Sequence, residues 1–409
     1  MSIHQSLKRL VLVGNIPRYN PTTFALFHKC YPNNAQIKNI DSDFQDNKQN
    51  SKPKKLKNIY QQLCNWKDLN ELTEQLFENI VYYEPDNDKS GLIVLNKPHG
   101  LPKLPTDDCK YALEPSLPLL AKKLDVDNLQ VIKCTERFTS GITLLGTSAS
   151  TAKMYNKAMD RCVTTRTLPS GYIAIVKGSP NVNRNEDVDI VMKAMPQVND
   201  PLFGVVHKEP VISRYLAKSW KRRRQFVKRA HVHIETVARS PRGAGLVSVA
   251  PSSVGKHLLQ VYLADVGHPV IGDMMYDYRA RTLMGHKIKV TSATNARRTQ
   301  ILPDNILELL GLVKGEEWQI PKMVHQYKLM LPHWLPGGKD VTIFAPPPAH
   351  FVKTCQALDI NFNFKDFIEQ DTVSVFAANS ETVAKRKKKQ EAEQQQLSDL
   401  QSSIIELDQ

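Results

Sequence analysis

The stretch Leu92-Ile-Val-Leu-Asn-Lys-Pro-His-Gly-Leu-Pro102 sets the frame of this chain. A short apolar run followed by Lys-Pro-His-Gly predicts a strand that ends in a turn. Upstream, Leu69, Leu72, Leu76 and Ile80 recur at helical spacing, so a helix is expected somewhere between Leu56 and Tyr83. Downstream, Leu117, Leu119, Leu120 and Leu124 predict a short helix after Pro115. Gly141-Ile-Thr-Leu-Leu-Gly146 reads as a strand, and Ser148 or Ser150 is placed to cap a helix reaching about Met159. Gly171–Gly178 reads as a further strand, His231–Val237 and Leu246–Val249 as a strand pair, and Val341–Ala345 as a late strand stopped by three prolines. Strands and helices mix without regular βαβ alternation, which argues for an α+β domain rather than a doubly wound one.

The 409 residues carry a formal charge of +14. Such an excess points to a polyanionic partner, either nucleic acid or an anionic surface. No run of eighteen apolar residues is present, so no transmembrane helix is expected. The six cysteines are scattered without CxxC spacing, as reduced thiols would be, and they suggest neither a zinc site nor a disulfide framework. Residues 1–40 are basic and free of acid, Asp41 being the first acidic residue. This fits a mitochondrial transit peptide, with an ordinary basic arm as the alternative. The expected organisation is therefore a leader (1–40), a polar linker with an entry helix (41–74), a folded domain, and a C-terminal extension (359–409) ending in a charged tail.

Arg214 to Arg229 is the densest basic segment, with eight cations in sixteen residues and no acid. Arg214, Lys218, Lys221, Arg222, Arg223, Arg224, Lys228 and Arg229 alternate with Tyr215, Trp220 and Phe226. Cations neutralise phosphates while rings stack on exposed bases, so this segment is read as an RNA contact, with Lys256 nearby. Arg281, Lys287, Lys289, Arg297 and Arg298 are expected to add to the same field, and Lys385–Lys389 forms a second basic cluster in the tail.

Four segments in order carry a family resemblance. The first is the run from Leu92 to Pro102, and the second is Thr139-Ser-Gly-Ile-Thr-Leu-Leu145. Gly171-Tyr-Ile-Ala-Ile-Val-Lys-Gly178 is the third, and Gly267-His-Pro-Val-Ile-Gly-Asp273 with Tyr276 the fourth. Together, from about residue 75 to 358, they resemble the catalytic domain of the RluA-type RNA pseudouridine synthases. The sequence Leu259-Gln-Val-Tyr-Leu263, a long insertion and then Ala345-Pro-Pro-Pro348 are similar to a mitochondrial branch of that family. The resemblance implies a mixed, mainly antiparallel central sheet flanked by helices and loops. It also implies an isomerase acting on mitochondrial messenger or ribosomal RNA in the matrix, with no metal or redox cofactor, because the reaction has no redox step and no net hydrolysis.

In the family an aspartate starts the reaction, a basic residue keeps it ionised, and a tyrosine stacks near the base. Anchored on Thr139-Ser140-Gly141, the motif H-R-L-D falls on Lys133-Cys134-Thr135-Glu136, so the aspartate position is Glu136. The extra methylene adds about 1.5 Å of reach, and a misplacement near 1 Å can cost roughly a hundredfold. The paired arginine falls on Gln260, within Ser253-Val-Gly-Lys-His-Leu-Leu-Gln-Val-Tyr-Leu263, and glutamine supplies no charge. Lys256 and Arg137 are near in sequence but poorly placed to replace it. Joint loss of acid and base is what a decayed ion pair would look like. Tyr172 is the expected wall against the base, while His257, His268, Asp273 and Tyr276 are read as scaffold. Two readings stay open: an active synthase using Glu136, and a non-catalytic RNA-binding protein in RNA metabolism or ribosome assembly.

Overall fold

The computed structural model describes residue 60 and residues 66–84, 91–195, 207–213, 227–277, 280–283, 286–289 and 300–371. The chain divides into two units, residues 1–361 and 362–409. In the second, residues 364–371 are helical and the rings of Phe362 and Phe367 lie 5.7 Å apart.

In the first unit, helix α1 (Leu69–Glu78) begins where Asp68 accepts from the Glu71 backbone N–H. It ends at Asn79, and Ile80–Glu84 forms strand β1, so the helical spacing does not run on through Ile80 as expected. The β-branched and aromatic residues Ile80-Val-Tyr-Tyr pair instead with strand β2 (Leu92–Lys97), where such side chains fit a pleated surface. β2 is buried on both faces. Ile93 and Leu95 pack with Leu72 and Leu76 of α1 and with Leu113, Leu117 and Leu120 of helix α2 (Leu113–Leu124). Leu92 and Val94 point the other way, toward Ala158 of helix α3 (Ala149–Thr165), Leu329 and Trp334. This alternation explains the unbroken apolar run: a strand sandwiched between two layers needs apolar side chains at every position.

The remaining strands are β3 (Gln130–Lys133), β4 (Ser140–Gly146), β5 (Ser170–Lys177), β6 (Asn183–Met195), β7 (His207–Ser213), β8 (Val227–Arg239), β9 (Ala244–Pro251), the hairpin β10 (Ala280–Leu283) and β11 (His286–Lys289), β12 (Val324–Leu335) and β13 (Lys339–Phe344). Among the described residues one large sheet runs β1-β2-β4-β12-β5-β9-β8-β6-β7, with β3 on β4 and β13 on β12. Its pairs are antiparallel except β4 with β12. Helices α4 (Leu258–Asp265), α5 (Asp304–Leu309) and α6 (Ala349–Ala357) complete the unit. The α+β class with a mixed, mostly antiparallel sheet is as the sequence implied. No helix among the described residues is long and apolar enough to cross a membrane.

The β4–β12 join positions everything that follows. Gly141 faces Gln326 across it with φ +114°, and a Cβ there would lie 2.2 Å from the Gln326 carbonyl oxygen, so only glycine fits. One residue away, buried His325 donates from Nε2 to the Ala345 carbonyl and accepts from Ser140 Oγ at Nδ1. Burial lowers its pKa to about 4, which keeps the ring neutral in this role.

Candidate active site

Glu136 sits in the turn between β3 and β4. Thr139 donates its backbone N–H to the Glu136 carbonyl (3.0 Å), and the Thr135 hydroxyl donates to the Thr139 carbonyl (2.9 Å). The turn is also clamped from the entry motif. Lys97 is fully buried, and its ammonium donates to the carbonyls of Pro98, Leu101 and Arg137 at 3.1–3.2 Å. The Gly100 backbone N–H donates to the Arg137 carbonyl as well (2.9 Å). The Asn-Lys-Pro motif thus holds the loop that carries the carboxylate. Nothing in the sequence pattern assigned Lys97 that task.

The Glu136 side chain is about half exposed, and a cation lies against it. Lys322 Nζ donates to Oε2 at 3.0 Å, and His257 Nδ1 lies 3.5 Å from Oε1. Burial by itself would raise the carboxyl pKa, but His257 and the Lys322 charge outweigh it and hold the group down at about 2. The expectation that the carboxylate had lost its cationic partner is therefore corrected: the charge comes from another segment. Lys322 lies in the loop just before β12. His257, read as scaffold, has its ring beside the same carboxylate. Its backbone is left-handed (φ +55°), which swings the ring to the carboxylate at the start of α4. Arg137 does not face its neighbour; it pairs with Asp108 (2.9 Å) and donates to the Gly100 carbonyl.

Two cavities meet at Glu136. An inner chamber of about 210 Å³ is lined by Lys133, Glu136, Tyr172, Leu259, Gln260 and Gln326 among others. An open groove of about 730 Å³ runs past His99, Phe138, His257, Asp273, Trp318 and Lys322. Glu136 and Gln260 line both, so they stand at the passage between them. Gln260, on α4, is buried and occupies the expected arginine position without supplying its charge.

Tyr172 on β5 forms a wall of the chamber and is 3% exposed. Its hydroxyl donates to Gln326 Oε1 (3.1 Å), and burial pushes the phenol pKa far up, keeping the proton on oxygen. Lys133 Nζ donates to Ser170 Oγ at 3.4 Å, and burial lowers the Lys133 pKa to about 8. Asp273 is buried; its Oδ1 accepts from the backbone N–H groups of Met275 and Tyr276, so it shapes a turn on the groove wall. Burial raises its pKa to about 6. Tyr276 packs its ring 5.7 Å from His257, and His268 is buried beside the Lys177 carbonyl (3.2 Å).

Of the basic segment, Arg214, Lys218, Trp220, Lys221, Arg222, Arg223 and Arg224 lie outside the described residues, as do the leader and the tail cluster. Lys228 is exposed, with its ammonium close to Gly255 at the chamber rim. Lys256 precedes α4 with φ +53° and is half-buried. Arg229 Nε bonds Asp189 Oδ1 at 3.0 Å, so its charge is committed within the sheet, to a fully buried carboxylate.

Residues 91–265, which carry the entry strand, the Glu136 turn, Tyr172 and α4, match the family model for RNA pseudouridylate synthase. Over that stretch the chain is similar to the RNA pseudouridylate synthases. Over 274 residues it is 28% identical to the mitochondrial mRNA pseudouridine synthase RPUSD3 of Homo sapiens, covering 66% of this chain and 75% of that protein. It is 23% identical to the mitochondrial pseudouridylate synthase RPUSD4 of Danio rerio, over 84% of this chain and 94% of that protein. Among solved structures, the human RNA pseudouridylate synthase domain containing 4 superposes with a TM-score of 0.52 at 23% identity. That match covers 72% of this chain and 98% of the other, and it bears on the fold.

Proposed function

We propose that this chain is a member of that family and an active pseudouridine synthase that isomerises uridine in mitochondrial RNA, with Glu136 in the place of the family's aspartate. The observation that carries the reading is the Glu136–Lys322 contact at the passage between chamber and groove. A carboxylate that starts the reaction must be ionised and fixed, and a close cation does both. The target base has to leave its stack to be reached. The chamber, walled by Tyr172, suits a single flipped base, while the groove suits the adjoining strand. The exposed rings of Phe138 (47%) and Trp318 (63%) offer stacking faces on that groove.

The reaction breaks the bond from C1′ to the uracil N1 and forms one from C1′ to C5. C5 loses a proton and N1 gains one, so no electrons are exchanged with a cofactor. Glu136 acts on the base or sugar at the passage, Lys322 holds its charge, and Tyr172 confines the ring. Lys228, Lys256 and the basic segment from Arg214 to Arg224 neutralise the RNA backbone. Messenger RNA is the favoured substrate, in line with the named activity of the human relative, and the acid-free leader supports import into the matrix.

The test is pseudouridine mapping on mitochondrial transcripts incubated with the chain, with Glu136→Gln in parallel. Modification by the wild type that vanishes in Glu136→Gln is the expected result. Tight RNA binding with no pseudouridine on any transcript would instead establish the non-catalytic reading.

A further inference from the structure

Gln326 lies at the chamber wall, fully buried, on the strand that carries the β4 join. The Tyr172 hydroxyl donates to Gln326 Oε1 at 3.1 Å, and that amide oxygen can only accept. The amide nitrogen, Nε2, is buried and donates to no protein atom. Buried donors are nearly always paired, so an orphan in a cavity wall points to a ligand acceptor. Leu258 and Leu259 add apolar lining to the same chamber.

We propose that Gln326 Nε2 donates a hydrogen bond to the C4 carbonyl oxygen of the target uracil, and so selects uracil against cytosine. The inference rests on the isomerase reading for its substrate and deepens it by naming the group that reads the base. Depth decides which carbonyl is met. Glu136 lines both chamber and groove, so the ribose-bearing N1 belongs at the passage; Gln326 lines the chamber alone. The ring atom opposite N1 is C4. Uracil carries a carbonyl oxygen there, while cytosine carries an amino group that would meet Nε2 donor to donor.

The same placement serves the product. Turning uracil half a revolution about its N3–C6 axis exchanges N1 with C5 and C4 with C2. The C2 carbonyl then occupies the place the C4 carbonyl held, and C5 faces the ribose. One fixed donor therefore holds the ring before and after the rearrangement, which cytosine's single carbonyl would not allow.

The experiment measures binding of the full chain to short single-stranded RNAs that differ at one position (uridine, cytidine or 4-thiouridine) by fluorescence anisotropy. Wild type is expected to bind the uridine RNA roughly tenfold or more tightly than the other two. Gln326→Met is expected to bind all three alike. Gln326→Glu keeps the acceptor for Tyr172, removes the donor, and should lose the preference in the same way. Should Gln326→Met fail to fold, the Glu variant and the 4-thiouridine comparison in wild type still decide. Equal binding of uridine and cytidine by wild type, or a preference that survives both variants, overturns the proposal. Pseudouridine formation is scored separately on the uridine RNA. A chain that prefers uridine yet forms no pseudouridine refutes isomerisation there and leaves base reading by Gln326 supported.

Discussion

Lys322 Nζ lies 3.0 Å from Glu136 Oε2, although the two residues are 186 positions apart. The lysine side chain is 9% exposed and the glutamate 45%, so the cation is the fixed partner and the carboxylate the accessible one. That asymmetry suits a group that must meet a substrate while its charge is held from behind. Lys322→Met is expected to lower kcat for pseudouridine formation roughly a hundredfold, the cost of a misplaced reacting group. Lys322→Arg keeps the charge and should retain much of the rate, although its planar fork differs in shape. Single-turnover rates on one transcript decide; a Met variant at wild-type rate would remove Lys322 from the mechanism.

The titration of Glu136 is a second check. Its carboxyl is held at about 2 by His257 and Lys322 against the opposing effect of burial. A depressed pKa contributes stability that is fully present above the unfolded value, roughly 4.3. That contribution is lost as pH falls through about 2. Carbon NMR of labelled glutamate should place this group well below the other glutamates. In the double variant Lys322→Met with His257→Ala, burial is left unopposed and the pKa should rise. An unchanged titration would show that neither neighbour sets it.

Lys97 is expected to matter for stability and rate together. Its buried ammonium joins three carbonyls, two in the entry loop and one in the Glu136 turn. Lys97→Met keeps the bulk and removes the donor to the Pro98 and Leu101 carbonyls, leaving Arg137 its bond from Gly100, at a cost of about 2–4 kcal/mol. Denaturant unfolding measures the loss. If stability falls while the residual folded protein keeps its full kcat, the clamp does not position the turn.

Asp273 provides a test of opposite sign. Burial raises its pKa to about 6, so between roughly pH 4 and 6 the folded state holds a proton that the unfolded state has released. Stability should therefore decline as pH climbs through that window and level off above it. Asp273→Asn keeps an oxygen for the Met275 and Tyr276 N–H groups but cannot ionise. Melting curves of the variant should lack that slope, whereas a slope identical to wild type would assign it to another group.

The sequence by itself marked several elements of the sheet and offered Glu136 as a candidate acid. The apolar run at Leu92–Leu95 and the strands at Gly141 and Gly171 were legible because they depend on local order and spacing. Burial on both faces leaves an unbroken apolar run, and a turn leaves its prolines and glycines. The entry helix was placed too far along for the same local reason. Ile80 keeps helical spacing with Leu76, and only pairing with β2 shows that it belongs to a strand. The partners of the acid left no such mark. Lys322 is one lysine before an apolar strand, and Gln326 is one polar residue within it. Both gain meaning because β12 lies beside β4 and β5, which carries Lys322 to Glu136 and Gln326 to Tyr172. Charge pairing and cavity shape act through space over a few ångströms, and the order of strands in the sheet, not the order of residues in the chain, decides which groups come that close.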